Sequence, residues 1–237
     1  MAAAILLLAY FIRGISGFGS GLLAVPLLAL LFPLKFVVAF MLVMDFTASI
    51  VLGSTHRKQV DWAELKPLIP GSIVGVVFGV SLLVNLDQTT LLVTLGLFII
   101  AFALRSLLNL HGEKLISRLW ALPASLIGGM VSALFGTGGP PYVIYLTHRI
   151  RDKGVFRATT SLLFLMEGGL RGVVFALAGL LFQEGLLSAF LGGLPIMALG
   201  LWLGGKVHVG ITATQMVRLI GGLLLVSGAS LLWKAWH

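Results

Sequence analysis

No cysteine occurs anywhere in the 237 residues. Its absence removes disulfides, thiolate catalysis and cysteine-held metal sites together. Charge is scarce as well. Only 10% of the residues are Asp, Glu, Lys or Arg, against about 25% in globular domains. The histidines, His56, His111, His148, His208 and His237, fall in polar connectors or at the chain end. No His/Asp/Glu cluster has the spacing of a metal site, so no metal and no cofactor is expected. A basic stretch is missing from the N-terminus, Met1-Ala-Ala-Ala-Ile-Leu-Leu-Leu8. That start is expected to be the first helix itself rather than a cleaved signal peptide.

What remains is apolar: 59% of the residues are hydrophobic and the mean hydropathy is +1.09. Such a chain is a polytopic, all-α membrane protein, with the lipid bilayer as its first partner. The net charge of +8 would suggest nucleic acid in a soluble protein. Here the basic residues cluster in short loops, which points to membrane topology and an anionic leaflet, with no nucleic acid. Eight apolar segments run roughly 3–32, 36–55, 67–84, 89–108, 119–147, 155–181, 186–205 and 213–235. No connector is long enough for a separate domain, so residues 1–237 are expected to form a single integral unit.

Two segments are interrupted. The first carries Gly14-Ile-Ser-Gly-Phe-Gly-Ser-Gly21 followed by Pro26, and the fifth carries Phe135-Gly-Thr-Gly-Gly-Pro-Pro141. Each glycine weakens a helix by roughly 1 kcal/mol relative to alanine. Irregular backbone at membrane depth is tolerated only where it is buried in protein or lines a polar cavity. These breaks are therefore the expected functional centre. They also repeat: Phe18-Gly19-Ser20-Gly21 returns as Phe135-Gly136-Thr137-Gly138 at an offset of 117. Pro70, Gly75, Gly79 and Gly96 return as Pro195, Gly200, Gly204 and Gly221 at an offset of 125. The chain reads as two homologous halves, about 1–110 and about 119–237.

Counting Lys and Arg suggests how the halves sit in the bilayer. Eight full crossings would place Arg149, Arg151, Lys153 and Arg157 opposite Arg57, Lys58, Lys66, Lys114 and Arg118. Two re-entrant hairpins, each of two half-helices of about 12 residues, bring all these and Lys206 to the cytoplasmic side. The expected fold is thus a pair of inverted repeats. Each is a re-entrant or broken glycine-rich hairpin plus three transmembrane helices, with both chain ends outside.

In such hairpins each second half-helix starts near the bilayer middle, and Pro140-Pro141 suits a first helical position. Free N–H groups and the partial positive charge of a helix N-terminus attract anions. The candidate binding groups are the backbone of Gly17, Gly19, Gly21, Gly136, Gly138 and Gly139, with the hydroxyls of Ser16, Ser20 and Thr137. Two tips meeting from opposite faces would make one small-anion site, open alternately to each side. The charges expected to remain within the membrane are Arg13, Asp45, Glu167 and Arg171. Each costs about 2.5–3.5 kcal/mol at a helix centre and so marks either a pathway or a pair. Arg13 and Arg171 are candidates to attract substrate. Glu167 and Arg171, spaced i,i+4, can instead neutralise each other. Asp45 and Glu167 are candidates to carry a coupling proton.

Other motifs fail on context. Gly17-Phe-Gly19-Ser-Gly21 follows an apolar helix rather than a strand, so it is no dinucleotide fingerprint. Gly14-Ile-Ser16-Gly17 resembles the Gly-x-Ser-Gly of rhomboid intramembrane serine proteases, yet no histidine stands at membrane depth to serve as base. An enzyme is therefore not expected. A passive small-anion channel is the other alternative, and a homo-oligomer is left open.

The break before Val25-Pro26, the connector His56-Arg57-Lys58-Gln59-Val60-Asp61-Trp62, and Pro70-Gly71 with Gly75 and Gly79 form one pattern. With Gly136-Thr-Gly-Gly139 and the repeat at Pro195–Gly204, it resembles the sulfite exporter TauE/SafE family, also called the four-toluene-sulfonate uptake family. The resemblance covers essentially the whole chain. It implies a carrier of the bacterial inner membrane for sulfur-containing anions such as sulfite or organosulfonates, with export prominent. Phe18 and Ser20 within the first break, and Thr137 with Pro140-Pro141 in the second, depart from a plain glycine run and bear on which anion fits.

Overall fold

The computed structural model describes residues 1–16, 19–52, 59–107, 116–136, 139–206 and 213–236. Every regular element among them is helical. In chain order they are α1 (Ala2–Ser16), α2 (Ser20–Ala29), α3 (Leu34–Leu52), α4 (Trp62–Leu65), α5 (Leu68–Asn85), α6 (Gln88–Leu107), α7 (Ala121–Phe135), α8 (Gly139–Arg149), α9 (Lys153–Leu177), α10 (Leu186–Lys206) and α11 (Ala213–Trp236). Five stretches among the described residues are long and apolar enough to cross a membrane: Leu68–Asn85, Gln88–Arg105, Arg118–Phe135, Gly154–Leu177 and Leu186–Lys206. Ala2–Ile15 and Ser20–Ala29 are apolar but shorter. Helix satisfies every backbone group within its own segment, which lipid demands.

Polar residues set the helix starts. Asp87 accepts from Thr90 N at 2.9 Å ahead of α6, and Asp152 from Val155 N at 2.8 Å at the start of α9. Asp61 accepts from Ala63 N and Glu64 N, which winds the short α4 within what composition marks only as a polar connector.

Both expected breaks interrupt the helix. The first segment splits into helices of 15 and 10 residues, the fifth into 15 and 11. Gly19 enters α2 with φ +94, and Gly136 closes α7 with φ +65, left-handed conformations that cost an L side chain roughly 1–2 kcal/mol. Gly136 N donates to Ser132 O at 2.8 Å, ending α7 in a left-handed cap. α8 begins at Gly139, so Pro140 and Pro141 take its second and third positions rather than the first.

The helices gather into two compact units that cut across the sequence repeats. One comprises Met1–Val37, Leu86–His111 and Glu184–His237; the other comprises Val38–Asn85 and Gly112–Gln183. Within the first, α1 lies along α10: a Cβ on Gly200 would sit 3.0 Å from Leu7 O, and one on Gly204 would strike Phe11 O. Within the second, α5 lies along α7 in the same way, with Gly75 against Leu126 O and Gly79 against Met130 O. Leu126 and Met130 follow Leu7 and Phe11 at a constant offset of 119, so one crossing is built twice. Both pairs run parallel, and bare backbone at the contact lets the helices touch with no side chain between them.

The first unit holds a third close pair, α6 with α11. Gly96 meets Leu232 and Gly221 meets Leu107, so this pair runs antiparallel. Leu232 and Gly221 stand 125 residues after Leu107 and Gly96, which makes the contact self-complementary.

Candidate functional site

In the first unit the break is held by Arg13, on the last turn of α1. Its Nη1 donates to Ser20 Oγ at 3.0 Å, tying that turn to the first residue of α2 across the break. Both side chains are buried. No side chain caps α2. Its opening residues, Ser20, Gly21, Leu22 and Leu23, all carry backbone N–H groups that lie beyond the reach of intrahelical bonding. A cation, a hydroxyl and a helix N-terminus thus come together, the elements of an oxyanion site.

The second unit reaches a similar end with different residues. Arg171, on α9, donates from Nη1 to Ser132 O at 2.6 Å and to Ser132 Oγ at 2.9 Å. The guanidinium therefore sits on the last turn of α7, where a cation is favoured by the helix dipole. Here the N-terminus is poorer, because Pro140 and Pro141 leave only Gly139 and Tyr142 as N–H donors in the first four positions of α8. Charge arrives on a side chain rather than from the backbone.

Glu167 and Arg171 do not neutralise each other, one turn apart though they are. Arg171 spends Nη1 on Ser132, while Glu167 Oε1 is buried with no hydrogen-bond partner. Tyr142 stands within electrostatic range of both. It also fixes α8: its ring fills the space that a Cβ on Gly128 would take, and its hydroxyl shares a hydrogen bond with Ser72 Oγ at 2.7 Å. Asp45 is half-buried on α3. Gly17, Thr137 and Gly138 lie outside the described residues, and Ser16 ends α1.

The sequence reading passed over Glu64. Its side chain, on α4, is 3% exposed and gathers four hydrogen bonds. Arg149 donates from Nη2 at 2.6 Å and from Nε at 3.1 Å, Tyr145 from its hydroxyl at 2.7 Å, and Arg118 from Nε at 3.0 Å. Burial alone would raise this carboxyl, but the donors from Arg149, Tyr145 and Arg118 outweigh it and lower it to about 2. Arg118 precedes α7 and Arg149 ends α8. One carboxylate holds both ends of the broken segment, so that segment turns back on itself.

Apolar helices long enough to cross a membrane, one segment broken and turned back with a buried cation at the break, define a class of polytopic, all-helical membrane protein. The model of the sulfite exporter TauE/SafE family matches residues 2–231. The chain belongs to that family and is a membrane transporter, not an enzyme. A probable inner membrane transporter protein, TsaS of Comamonas testosteroni, is 30% identical over 199 residues, covering 83% of this chain and 82% of the relative. No solved structure matches the chain.

Proposed function

We propose that this protein is a secondary transporter of small sulfur-containing anions, sulfite or organosulfonates, working by alternating access with export as its prominent direction. The observation that carries the reading is that each unit pairs a broken helix with a buried arginine at the break. The substrate is held at the first break by Arg13, Ser20 and the N–H groups that open α2, and at the second by Arg171 and the start of α8. Gly17, Thr137 and Gly138 complete the two breaks in this reading.

One contact supports an inverted repeat. The antiparallel, self-complementary α6–α11 pair is what an axis in the membrane plane produces; parallel repeats would set these helices side by side in one direction. Within the second unit Glu64 ties the α7–α8 hairpin beside Lys66, Arg118 and Arg149, a basic end of the kind expected in the cytoplasm. Within the first, Lys234, near the end of α11, donates to Ala29 O and Leu30 O at the end of α2.

The test is uptake of radiolabelled sulfite and sulfoacetate into proteoliposomes. Saturable uptake with counter-exchange is expected, and Gly19→Val and Arg13→Gln should each abolish it. Uptake that never saturates, with a chloride leak through the same vesicles, would mark a channel. Normal affinity in Gly19→Val would remove the backbone from the binding site.

A further inference from the structure

We propose that Glu167 and Arg171 form a joint proton-and-anion site in the second unit, so that one proton travels with each anion; this rests on the transport reading above. The two side chains are 6% and 5% exposed. Each keeps one buried polar atom without a hydrogen-bond partner, Glu167 Oε1 and Arg171 Nε. A buried donor or acceptor left without a partner is costly, and more so when the group is charged. Two such atoms one helical turn apart, one an acceptor and one a donor, suit a ligand that donates to the first and accepts from the second.

The chemistry of that ligand follows from the donors. Ser132 takes Nη1, which leaves the side-on fork of Nε–H and its neighbouring N–H. That fork spans two oxygens of a carboxylate, sulfonate or sulfite. The two prolines that thin the N–H donors at the start of α8 make a side-chain cation more important here than at the first break. An anion on this fork lies close to Glu167, and two negative charges at that spacing disfavour each other. Protonating Glu167 removes the repulsion and turns its carboxyl into a donor for a further oxygen of the anion. The proton comes from water on one side and is released to water on the other; no covalent bond changes.

The charged and titratable neighbours are few. Tyr142 faces the pair from α8, and Arg171 shares its helix. Asp45 on α3 adjoins Phe46, whose ring rests 3.3 Å from where a Cβ on Gly168 would lie. α5 carries no titratable residue. A third buried polar atom without a partner, Thr160 Oγ1, lies two turns earlier on the same face of α9, about 10 Å along its axis. It extends the polar stripe toward the end of the helix where Asp152 and Gln59 lie.

The test uses full-length protein in vesicles loaded with a pH-sensitive dye, with radiolabelled sulfoacetate, which is fully ionised at the assay pH. Wild type should move one proton per anion and accumulate the anion along a proton gradient. Glu167→Gln should lose the proton signal and at least tenfold of the gradient-driven accumulation, because glutamine can donate to the anion but cannot take up or release the proton. Arg171→Lys should raise the half-saturating concentration at least tenfold, because a point charge replaces a fork. Saturable wild-type uptake with no proton entry would overturn this proposal and leave the transport reading standing. So would proton-coupled uptake in Glu167→Gln. No wild-type uptake of any sulfur anion would overturn both.

Discussion

Glu64→Gln is the most informative single change outside the breaks. The substitution keeps the shape but removes the charge and replaces one of two acceptor oxygens with an NH2 that faces donors. Of the four hydrogen bonds at Glu64, those from Arg149 and Tyr145 come from the better buried partners; the Arg118 side chain is 57% exposed and rehydrates readily, while that of Arg149 is 20% exposed. Breaking a buried pair on one side costs about 3–5 kcal/mol, and with Arg118 discounted we expect about 3 kcal/mol. At roughly 2–4 °C per kcal/mol for a chain of this length, Tm should fall by roughly 6–12 °C. The assay is thermal unfolding of detergent-purified protein followed by tryptophan fluorescence. The sign with pH is fixed. The carboxyl is lowered from 4.5 when free to about 2 when folded, so its contribution is complete above about pH 5 and fades as pH falls from 4.5 toward 2. The gap between wild type and variant should therefore be flat from pH 5 to 8 and narrow below. Equal Tm values at pH 7, or a gap that widens in acid, would refute the reasoning.

Other changes test the packing. Gly79→Val and Gly204→Val should each cost about 1–3 kcal/mol, because a Cβ at either meets the backbone of α7 or α1; matched losses of Tm would confirm that the two crossings are equivalent. Gly136→Ala should cost about 1–2 kcal/mol through its φ of +65, measured as a Tm shift. Lys234→Gln should loosen the end of α2 and speed hydrogen exchange at residues 30–32, since Ala29 O and Leu30 O lose a cationic donor.

Much of this was legible from local composition. A run of glycines inside an apolar segment reports a break because glycine's cost to a helix is paid residue by residue, and both breaks are where those runs stand. Partner choice was not legible. The glycines at 71, 75 and 79 announce a surface for close packing but not which helix it receives, and α5 takes α7 from the other half of the chain. The position of Pro140 and Pro141 differed by a turn's fraction, because the helix starts at Gly139 and costs the site two N–H donors. Glu64 stands in a polar connector, where composition alone gives no reason to single it out. Its partners, at 118, 145 and 149, share no periodicity with it and are brought to it only by the return of the α7–α8 hairpin.

The exchange of partners between the halves also has a consequence in time. α5 and α7 are made almost in succession, so the second unit's tightest contact forms soon after its helices leave the ribosome. α1 must wait for α10, roughly 190 residues later, which at about 5–20 residues per second is on the order of 10–40 s. During that interval a short apolar helix with an exposed backbone groove stands in the membrane without its mate. Helices made late complete those made early, and a chain cut before Leu186 keeps α5 on α7 but leaves α1 without α10 and α6 without α11.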